Sequence, residues 1–292
     1  MFGYHFVSGH TAGNSQLILG RENAILIDCS LPFCAEDTIK KLKAALNGRT
    51  LDAILLSHSH YDHIAALPQI AAEFPNVPIF AHPYVIDVLS RSGAISTMEK
   101  MCNTAQKLFG EGYSCLPHRL FDIPKINPLA DGDIFKFDNG KAKVIFTPGH
   151  TKDSITIDFA DEGFCCLCET FGVKRPDNRI QPCFLSGYQS ALESVDKITA
   201  LGNRQIILSH MAEPLSGEDN DTFIARSLSS MTDSAKFICE LFDQDPDEES
   251  IFERYTKVYW SEAYRHVWPF HAYEMNSRAA IKTVLKELKS SI

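Results

Sequence analysis

Short apolar runs, each followed by polar turn residues, recur along the chain and predict strands. Residues 16–19 and 24–28 form one pair of runs joined by a tight turn, and residues 51–56 form a third. A run of this length bounded by polar residues is typical of a strand that is buried on both faces. Similar runs occur at residues 78–81, 134–137, 143–146, 163–168 and 204–209.

Helical spacing of apolar residues alternates with these runs. It predicts helices over residues 36–46, which Asn47-Gly48 ends, and over residues 64–74, which Pro75 ends. A further helix is predicted after residue 81. Strands that alternate with helices indicate the α/β class. Residues 91–128 are less regular, and we interpret them as an insertion rather than a separate domain.

The pattern changes after residue 210 and becomes helical. Thr222 is predicted to cap a helix whose apolar face contains Ile224, Leu228, Met231, Ile238 and Phe242. Residues 251–264 and 272–288 predict two more helices. Aromatic residues in this part either pack in its core or form an apolar lid over a substrate: Trp260, Trp268, Phe270 and Tyr273, with Phe184 and Tyr188 from an earlier loop.

The residues directly after the run 51–56 are rich in metal-binding side chains. This loop reads Ser-His-Ser-His-Tyr-Asp-His from Ser57 to His63. Because alternate residues of an extended segment point the same way, His58 and His60 can converge on one atom. Asp62 and His63 follow where the chain turns. Imidazole and carboxylate together suit zinc, iron or manganese.

Three later runs also end in a metal-type side chain. His150 follows the run 143–146 within Thr-Pro-Gly-His, Glu169 follows the run 163–168, and His210 follows the run 204–209. One histidine alone would indicate little. Four strands that each deliver such a residue at their end predict a shared metal centre, since a catalytic metal needs at least three protein ligands.

The amino-acid composition is that of a large globular protein, and it argues against several classes of function. The 292 residues have a net charge of −9 and scattered basic residues, which argues against a nucleic-acid surface. No apolar stretch is long enough to span a membrane, and the first residues lack the features of a signal peptide. Nine cysteines without a disulfide pattern fit a reducing compartment, so we expect a cytoplasmic protein. We interpret Cys165, Cys166 and Cys168 as small hydrophobic residues rather than ligands.

The motifs together resemble those of the metallo-β-lactamase superfamily. The His-x-His-x-Asp-His loop, the Thr-Pro-Gly-His turn, the acidic residue after the next strand and the late Ser-His occur in order between about residue 14 and about residue 212. The resemblance implies an α/β fold of four layers, an αββα sandwich, with a one- or two-metal site at one edge of its sheets. It implies two ligand sets: His58, His60 and His150 for one ion, and Asp62, His63 and His210 for the other.

One position departs from the family pattern. The bridging ligand is usually an Asp preceded by Gly, whereas this chain has Cys168-Glu169. Glu169 could bridge two ions if its backbone lies further from the site than that of the usual Asp. It could also bind one ion only, or point away from the site. We expect a two-metal site with Asp62 and Glu169 as its catalytic carboxylates. Asp28 falls where relatives place a carboxylate that supports the metal loop, although a role as a turn cap is equally compatible with its position.

The resemblance also suggests a division into domains. We expect a catalytic domain over residues 1–215 and a helical cap over residues 216–292 that covers the mouth of the active site. This arrangement is loosely similar to the quinolone-signal thioesterase and effector subgroup. An exposed aromatic C-terminal segment would also allow a homodimer.

The ligand set predicts a metal-dependent hydrolase of a small molecule. Two divalent ions, zinc in first place with iron or manganese as alternatives, would provide a metal-bound hydroxide at neutral pH. A thioester is the favoured substrate, because a thiolate leaves without needing a proton. Lactones and β-lactams remain open as alternative substrates. Two rival functions remain: a mononuclear iron oxidoreductase similar to persulfide dioxygenases, and a non-catalytic signalling module that contains metal.

Overall fold

The computed structural model describes residues 3–114, 123–265 and 269–289. The strands within these ranges are β1 (Gly3–Phe6), β2 (Gln16–Leu19), β3 (Ala24–Ile27), β4 (Ala53–Leu56), β5 (Ile79–Ala81), β6 (Ile126–Pro128), β7 (Ile134–Phe137), β8 (Gly140–Phe146), β9 (Ile155–Phe159), β10 (Phe164–Leu167), β11 (Val173–Lys174), β12 (Ile180–Gln181) and β13 (Gln205–Leu208). The α-helices are α1 (Ala35–Leu46), α2 (Tyr61–Ile64), α3 (Leu67–Glu73), α4 (Pro83–Leu89), α5 (Ser92–Phe109), α6 (Tyr188–Thr199), α7 (Gly217–Gln244), α8 (Glu248–Tyr259) and α9 (Phe270–Leu288). All eight predicted strands are therefore present, and the structure adds β1, β6, β9, β11 and β12.

The chain divides into two compact units. The first consists of Met1–Phe146, Ile155–Cys166 and Arg204–Leu215. The second consists of Thr147–Ser154, Leu167–Asn203 and Ser216–Ile292. The division into a catalytic domain over residues 1–215 and a cap over residues 216–292 stays a prediction.

The first unit contains two sheets, with helices on the outer face of one of them. The six-stranded sheet has the order β1-β2-β3-β4-β5-β6, and the five-stranded sheet has the order β13-β10-β9-β8-β7. In the first sheet β1, β2 and β3 pair antiparallel, while β3, β4, β5 and β6 pair parallel. Since parallel strands end at the same edge, the residues after β3 and β4 leave the sheet side by side.

Both faces of the first sheet are buried, which explains its continuous apolar runs. Ile25, Ile27 and Leu55 face the second sheet and pack with Phe137, Phe159 and Ile207 in a core that the two sheets share. Their sequence neighbours Leu26 and Ile54 point the opposite way. There they pack with residues of the helices that cover the outer face, Leu42, Leu67, Ile70, Val85 and Ile95.

Two helix predictions in the first unit need correction. The helix expected over residues 64–74 is shorter: it is α3 (Leu67–Glu73), with Pro68 in its first turn, and the separate short helix α2 ends at Ile64. Residues 91–128 contain α5, an 18-residue helix that their composition did not predict. Only four of its residues are buried, Ile95, Met98, Cys102 and Ala105, so its apolar stripe is narrow.

The second unit contains α6, α7, α8 and α9. Helix α7 begins at Gly217, not after Thr222, with Glu218 and Asp219 in its first turn, where carboxylates favour helix formation. Its buried face also differs from the predicted one. Phe223, Ser227, Met231, Ser234, Ala235, Ile238 and Leu241 are buried, whereas Leu228 is 38% exposed.

The aromatic residues of the second unit pack mainly in its interior. Tyr273 and Phe184 are fully buried, and Trp260 packs against Tyr273 with ring centroids 4.8 Å apart and the rings tilted by 42°. This placement favours the core interpretation for Tyr273 and Phe184. Trp268 lies outside the described residues.

The described ranges contain neither a candidate membrane span nor a disulfide. None of their helices is both long enough and apolar enough to cross a bilayer. Every cysteine that the structure describes has a free thiol, in agreement with the absence of a disulfide pattern in the sequence.

Candidate metal centre

In the first unit the candidate ligands leave the ends of strands. His58 and His60 follow β4, Asp62 and His63 lie in the short helix α2, and His210 follows β13. His210 has a φ of 61°, an uncommon left-handed conformation for a residue other than glycine. Such strained positions are concentrated at functional sites, and the surrounding hydrogen bonds must hold them.

The structure brings Asp62, His63 and His210 together. The Nε2 atoms of His63 and His210 are 3.2 Å apart. Asp62 Oδ2 lies 3.4 Å from His210 Nε2 and 3.7 Å from His63 Nε2. His63 is buried, while Asp62 and His210 are partly exposed. The three residues form a group that could hold a metal ion, and they are one of the two ligand sets that the family resemblance implies.

Asp28 supports this group from behind. The residue is fully buried at the end of β3 and has a φ of 62°. Its Oδ2 accepts hydrogen bonds from His63 Nδ1 at 2.7 Å and Ser57 Oγ at 2.7 Å. Its Oδ1 accepts from the Ser57 backbone N–H at 2.7 Å. Because a carboxylate only accepts, His63 must hold its proton on Nδ1 and present a lone pair on Nε2. The supporting role is thus favoured over a simple turn cap.

Ser57, which Asp28 orients, in turn fixes the tautomer of His58. Its hydroxyl proton points to Asp28, so its oxygen accepts from His58 Nδ1 at 3.0 Å. His58 therefore also presents Nε2 as a lone pair. Its ring centroid lies 4.7 Å from that of His60 and 4.1 Å from that of His63. The three imidazoles of the loop are consequently neighbours.

Asn14 is a supporting residue that the sequence analysis missed. Its side-chain amide donates to Asp28 Oδ2 at 2.8 Å, and its Oδ1 accepts from the His210 backbone N–H at 3.0 Å. Its own backbone N–H donates to the Asp62 carbonyl. A carbonyl nearby, on Thr11, accepts from His210 Nδ1 at 3.2 Å and directs His210 Nε2 toward the group. No periodicity or motif distinguishes Asn14 from an ordinary turn asparagine.

The second unit contains the other two candidate ligands, His150 and Glu169. Both are buried, and His150 Nε2 lies 3.9 Å from Glu169 Oε2. His150 Nδ1 donates to the Cys183 carbonyl at 2.8 Å. His150 thus presents Nε2, as His58, His63 and His210 do. Its backbone N–H donates to Thr170 Oγ1, which in turn donates to the Thr147 carbonyl at 2.8 Å and closes the turn.

Glu169 begins a short 3₁₀ helix, Glu169–Phe171, directly after β10. The three cysteines that precede it are buried. Burial raises the pKa of Cys165 to about 12 and raises that of Cys166 and Cys168 as well. Cys166 packs in the core shared by the two sheets. These positions favour the prediction that the cysteines act as small hydrophobic residues, not as thiolate ligands.

The group Asp62, His63 and His210 fits a divalent ion. Ligand atoms about 2.0–2.1 Å from a tetrahedral ion lie roughly 3.4 Å from one another. The three separations here are 3.2, 3.4 and 3.7 Å. Two imidazole lone pairs and a carboxylate that face one point also match the chemistry of such an ion. The donor set of the first unit is therefore suitable for a metal.

The support from Asp28 can be tested by replacing its carboxylate with an amide. In Asp28→Asn one of the present donors, such as Ser57 or His63, faces an NH₂ group. We expect metal affinity to fall by about 10–100-fold, as is usual for the loss of such a partner. Titration against a competing chelator measures this. Asp52→Asn is the control, because Asp52 sits at the opposite end of β4 and accepts from the Ala24 N–H. Equal affinity in the two variants would contradict the assigned role.

The turn that positions His150 depends on Gly149. This glycine has a φ of 144°, and an added Cβ would lie 2.6 Å from Ala191 Cβ and 2.9 Å from Thr170 Cγ2. We expect Gly149→Ala to lower the free energy of unfolding by about 2 kcal/mol or more. Gly202→Ala isolates the backbone effect, because Gly202 has a φ of 73° and no atom within 4 Å. Urea denaturation of both variants decides whether the clash adds to the cost of the φ value.

Comparisons with known proteins agree with this geometry. The profile of the metallo-beta-lactamase superfamily matches residues 8–210. The chain is 24% identical over 250 residues to the beta-lactamase-like protein 2 homolog of Drosophila melanogaster, a match that covers 82% of this chain and 69% of that protein. It is 27% identical over 119 residues to a hydroxyacylglutathione hydrolase of Aliivibrio salmonicida, covering 41% of this chain and 33% of that protein. The structure of an archaeal superfamily protein from Sulfolobus tokodaii aligns with a TM-score of 0.60 at 13% identity and covers 98% of each chain.

The chain belongs to the metallo-beta-lactamase superfamily, because the profile matches well over half of its length. This confirms the predicted α/β fold of the family with C-terminal helices. The superfamily consists mostly of hydrolytic metalloenzymes and usually binds divalent ions such as zinc or iron.

Proposed function

We propose that this protein is a metal-dependent hydrolase of a small-molecule carbonyl ester-type bond, with a thioester as the favoured substrate. The observation that supports it best is the group Asp62, His63 and His210, whose imidazoles are held in the metal-binding tautomer by Asp28 and the Thr11 carbonyl. Membership of a mostly hydrolytic superfamily supports the reaction class. A distant relative named as a hydroxyacylglutathione hydrolase supports the thioester.

The proposal assigns the remaining ligands from the family motif. His58, His60 and His150 are assigned to one ion, and Asp62, His63 and His210 to a second, with Glu169 as the bridging carboxylate. A bound divalent ion lowers the pKa of a coordinated water to about 7 and so supplies hydroxide at neutral pH. We propose zinc as the resident metal, with iron and manganese as the alternatives that such ligands accept.

The side chains of the site orient the ligand nitrogens and supply a carboxylate that can accept a proton. Four histidines hold Nδ1 on an oxygen acceptor and so keep Nε2 available as a ligand atom: His58, His63, His150 and His210. Asp62 is partly exposed, so with a single ion bound its carboxylate can accept a proton as general base. A thiolate leaving group needs no proton from the chain, which is compatible with this donor set.

Elemental analysis of freshly purified protein, followed by turnover assays, tests the proposal. The panel contains acyl thioesters, lactones and β-lactams, and oxygen uptake is followed with glutathione persulfide. We expect thioester hydrolysis that a chelator abolishes and Zn²⁺ or Mn²⁺ restores. Iron at one ion per chain with oxygen uptake and no hydrolysis would instead establish the persulfide dioxygenase-like alternative. Fully metallated protein that turns over none of these compounds would favour a signalling module.

A further inference from the structure

The backbone on both sides of His210 is bonded to side chains of the first sheet. His210 follows β13, an edge strand of the second sheet. Before it, the Leu208 carbonyl accepts a hydrogen bond from Gln16 Nε2 of β2 at 2.7 Å. After it, the Met211 carbonyl accepts one from the Tyr4 hydroxyl of β1 at 2.5 Å. Neither Tyr4 nor Gln16 is among the ligands that the family motifs assign.

Strand pairing places Tyr4 and Gln16 on the face of the first sheet that meets the second sheet. Tyr4 pairs with Ile18, and residues directly opposite each other in a sheet point to the same face. Gln16 and Ile18 are two residues apart in β2 and therefore share that face. Ile18 belongs to the core between the two sheets, and Tyr4 packs against this core. Because Gln16 is only 2% exposed, its amide needs a buried acceptor, and the Leu208 carbonyl provides one.

His210 needs support from its surroundings because its backbone conformation is unfavourable. Its φ of 61° lies in the left-handed region, which a residue with a side chain keeps only where other contacts hold it. Asn14 accepts from its N–H and the Thr11 carbonyl accepts from its Nδ1. These bonds keep their geometry only if the chain before and after His210 stays in place, and Gln16 and Tyr4 hold those two positions. Burial raises the pKa of Tyr4, so its hydroxyl remains protonated and able to donate.

We propose that Tyr4 and Gln16 are positioning residues for His210. By holding the carbonyls before and after it, they keep its imidazole in the group with Asp62 and His63. The inference rests on the proposed assignment of this group to one ion, and it states what controls the affinity for that ion: contacts from β1 and β2, outside the ligand set. The three ligand atoms lie within 3.7 Å of one another. A displacement of His210 by about 1 Å would therefore disrupt the coordination geometry.

Two substitutions remove these donors without a large change in side-chain volume. Tyr4→Phe removes the hydroxyl, and Gln16→Leu removes the amide. The metal-free full-length protein is titrated with Zn²⁺ against a competing chelator. We expect the affinity for one ion per chain to fall by about 10–100-fold, as for the loss of other groups that support a ligand. The affinity for the other ion should not change.

The chain offers a matched control for each substitution. The Tyr113 hydroxyl also donates to a backbone carbonyl of the first unit, that of Gly9, at 3.1 Å. The Asn127 amide donates to the Ile79 carbonyl at 3.0 Å. Tyr113→Phe and Asn127→Leu thus remove the same kinds of hydrogen bond without touching residues 208–211. Both controls should keep the Zn²⁺ affinities of the unmodified protein.

The tautomer of His210 gives a second measurement, which requires neither a bound metal nor turnover. In the metal-free protein His210 holds its proton on Nδ1, because that atom faces a carbonyl. Long-range ¹H–¹⁵N spectra of histidine-labelled protein report this tautomer, and His210→Ala identifies the signal. In both variants we expect the signal to move toward that of a histidine with mixed tautomers. The signal of His63, which Asp28 orients, should stay unchanged.

The proposal requires both changes, the loss of affinity for one ion and the altered tautomer of His210, and either one alone would overturn it. Losses of equal size in the controls would also overturn it, because the effect would then be a general destabilisation. If one variant does not fold, the other decides. The hydrolase proposal can fail separately, since a protein that cleaves no thioester still gives the titration and the spectra. If the unmodified protein binds a single ion, the same criterion applies to that ion.

Discussion

The His58→Ala protein is expected to lose both its metal and its hydrolytic activity. His58 is fully buried, and Ser57 fixes its tautomer, so no other side chain can replace its Nε2. Metal ions contribute several kcal/mol to such reactions, so we expect the rate to fall by at least about a thousandfold. His150→Ala should have the same effect, since the proposal assigns both histidines to one ion. Elemental analysis and thioester turnover measure the two losses.

Two control variants distinguish the loss of a metal ligand from a general loss of structure. Ser57→Ala removes the hydroxyl that orients His58 but keeps the imidazole, so a loss of only about 10–100-fold is expected. His271→Ala removes a histidine outside the proposed ligand sets and should leave metal content unchanged. A folded His58→Ala protein that kept its full metal content would show that His58 is not a ligand.

The parts of this centre that could be predicted are those that follow buried strands. The apolar run before His58 is buried because both faces of the first sheet are covered. The run before His210 belongs to the second sheet, where three of the four residues of β13 are buried. The ends of both runs therefore stand out in the sequence. Side chains with metal chemistry at these ends then point to one edge of the fold. This reasoning predicts a shared metal centre, whereas the particular set Asp62, His63 and His210 comes from the family resemblance.

The supporting network could not be predicted in the same way. Asn14 contacts Asp28 and the backbone of Asp62 and His210, partners that are 14, 48 and 196 residues away in sequence. Such contacts depend on the final packing of four segments, and the sequence shows only a polar residue before a strand. Asp28 was detectable through the family pattern, but its position alone was equally compatible with a turn cap.

The face of α7 was mispredicted for a different reason. Ser227 and Ser234 are buried because their hydroxyls bond to the Phe171 carbonyl and to Tyr255 Oη. A hydrophobic pattern assigns these serines to the surface and Leu228 to the core, which shifts the predicted face. Apolar periodicity therefore predicts the wrong buried face when small polar residues form hydrogen bonds inside a helical core.

Replacement of Glu169 by Asp is expected to reduce activity strongly, although Asp is the usual family residue. Glu169 starts a 3₁₀ helix after β10, and its Oε2 lies 3.9 Å from His150 Nε2. A side chain shorter by one methylene would withdraw the carboxylate from that nitrogen. We expect a loss of about 10–100-fold in turnover, similar to that caused by other misplaced metal-site groups. Full activity in Glu169→Asp would mean that the extra length has no function.

The charge and the length of Glu169 can be tested separately. Glu169→Gln keeps the length and removes the charge, whereas Glu169→Ala removes both. If the carboxylate bridges two ions, both variants should lose one metal per chain, and elemental analysis would show about half the original content. If Glu169 binds one ion only, the Gln variant should keep more metal than the Ala variant, because an amide oxygen can still coordinate. Glu169→Ala with two ions and the full rate would show that the bridging assignment is wrong. Circular dichroism of each variant checks that the loss does not come from unfolding.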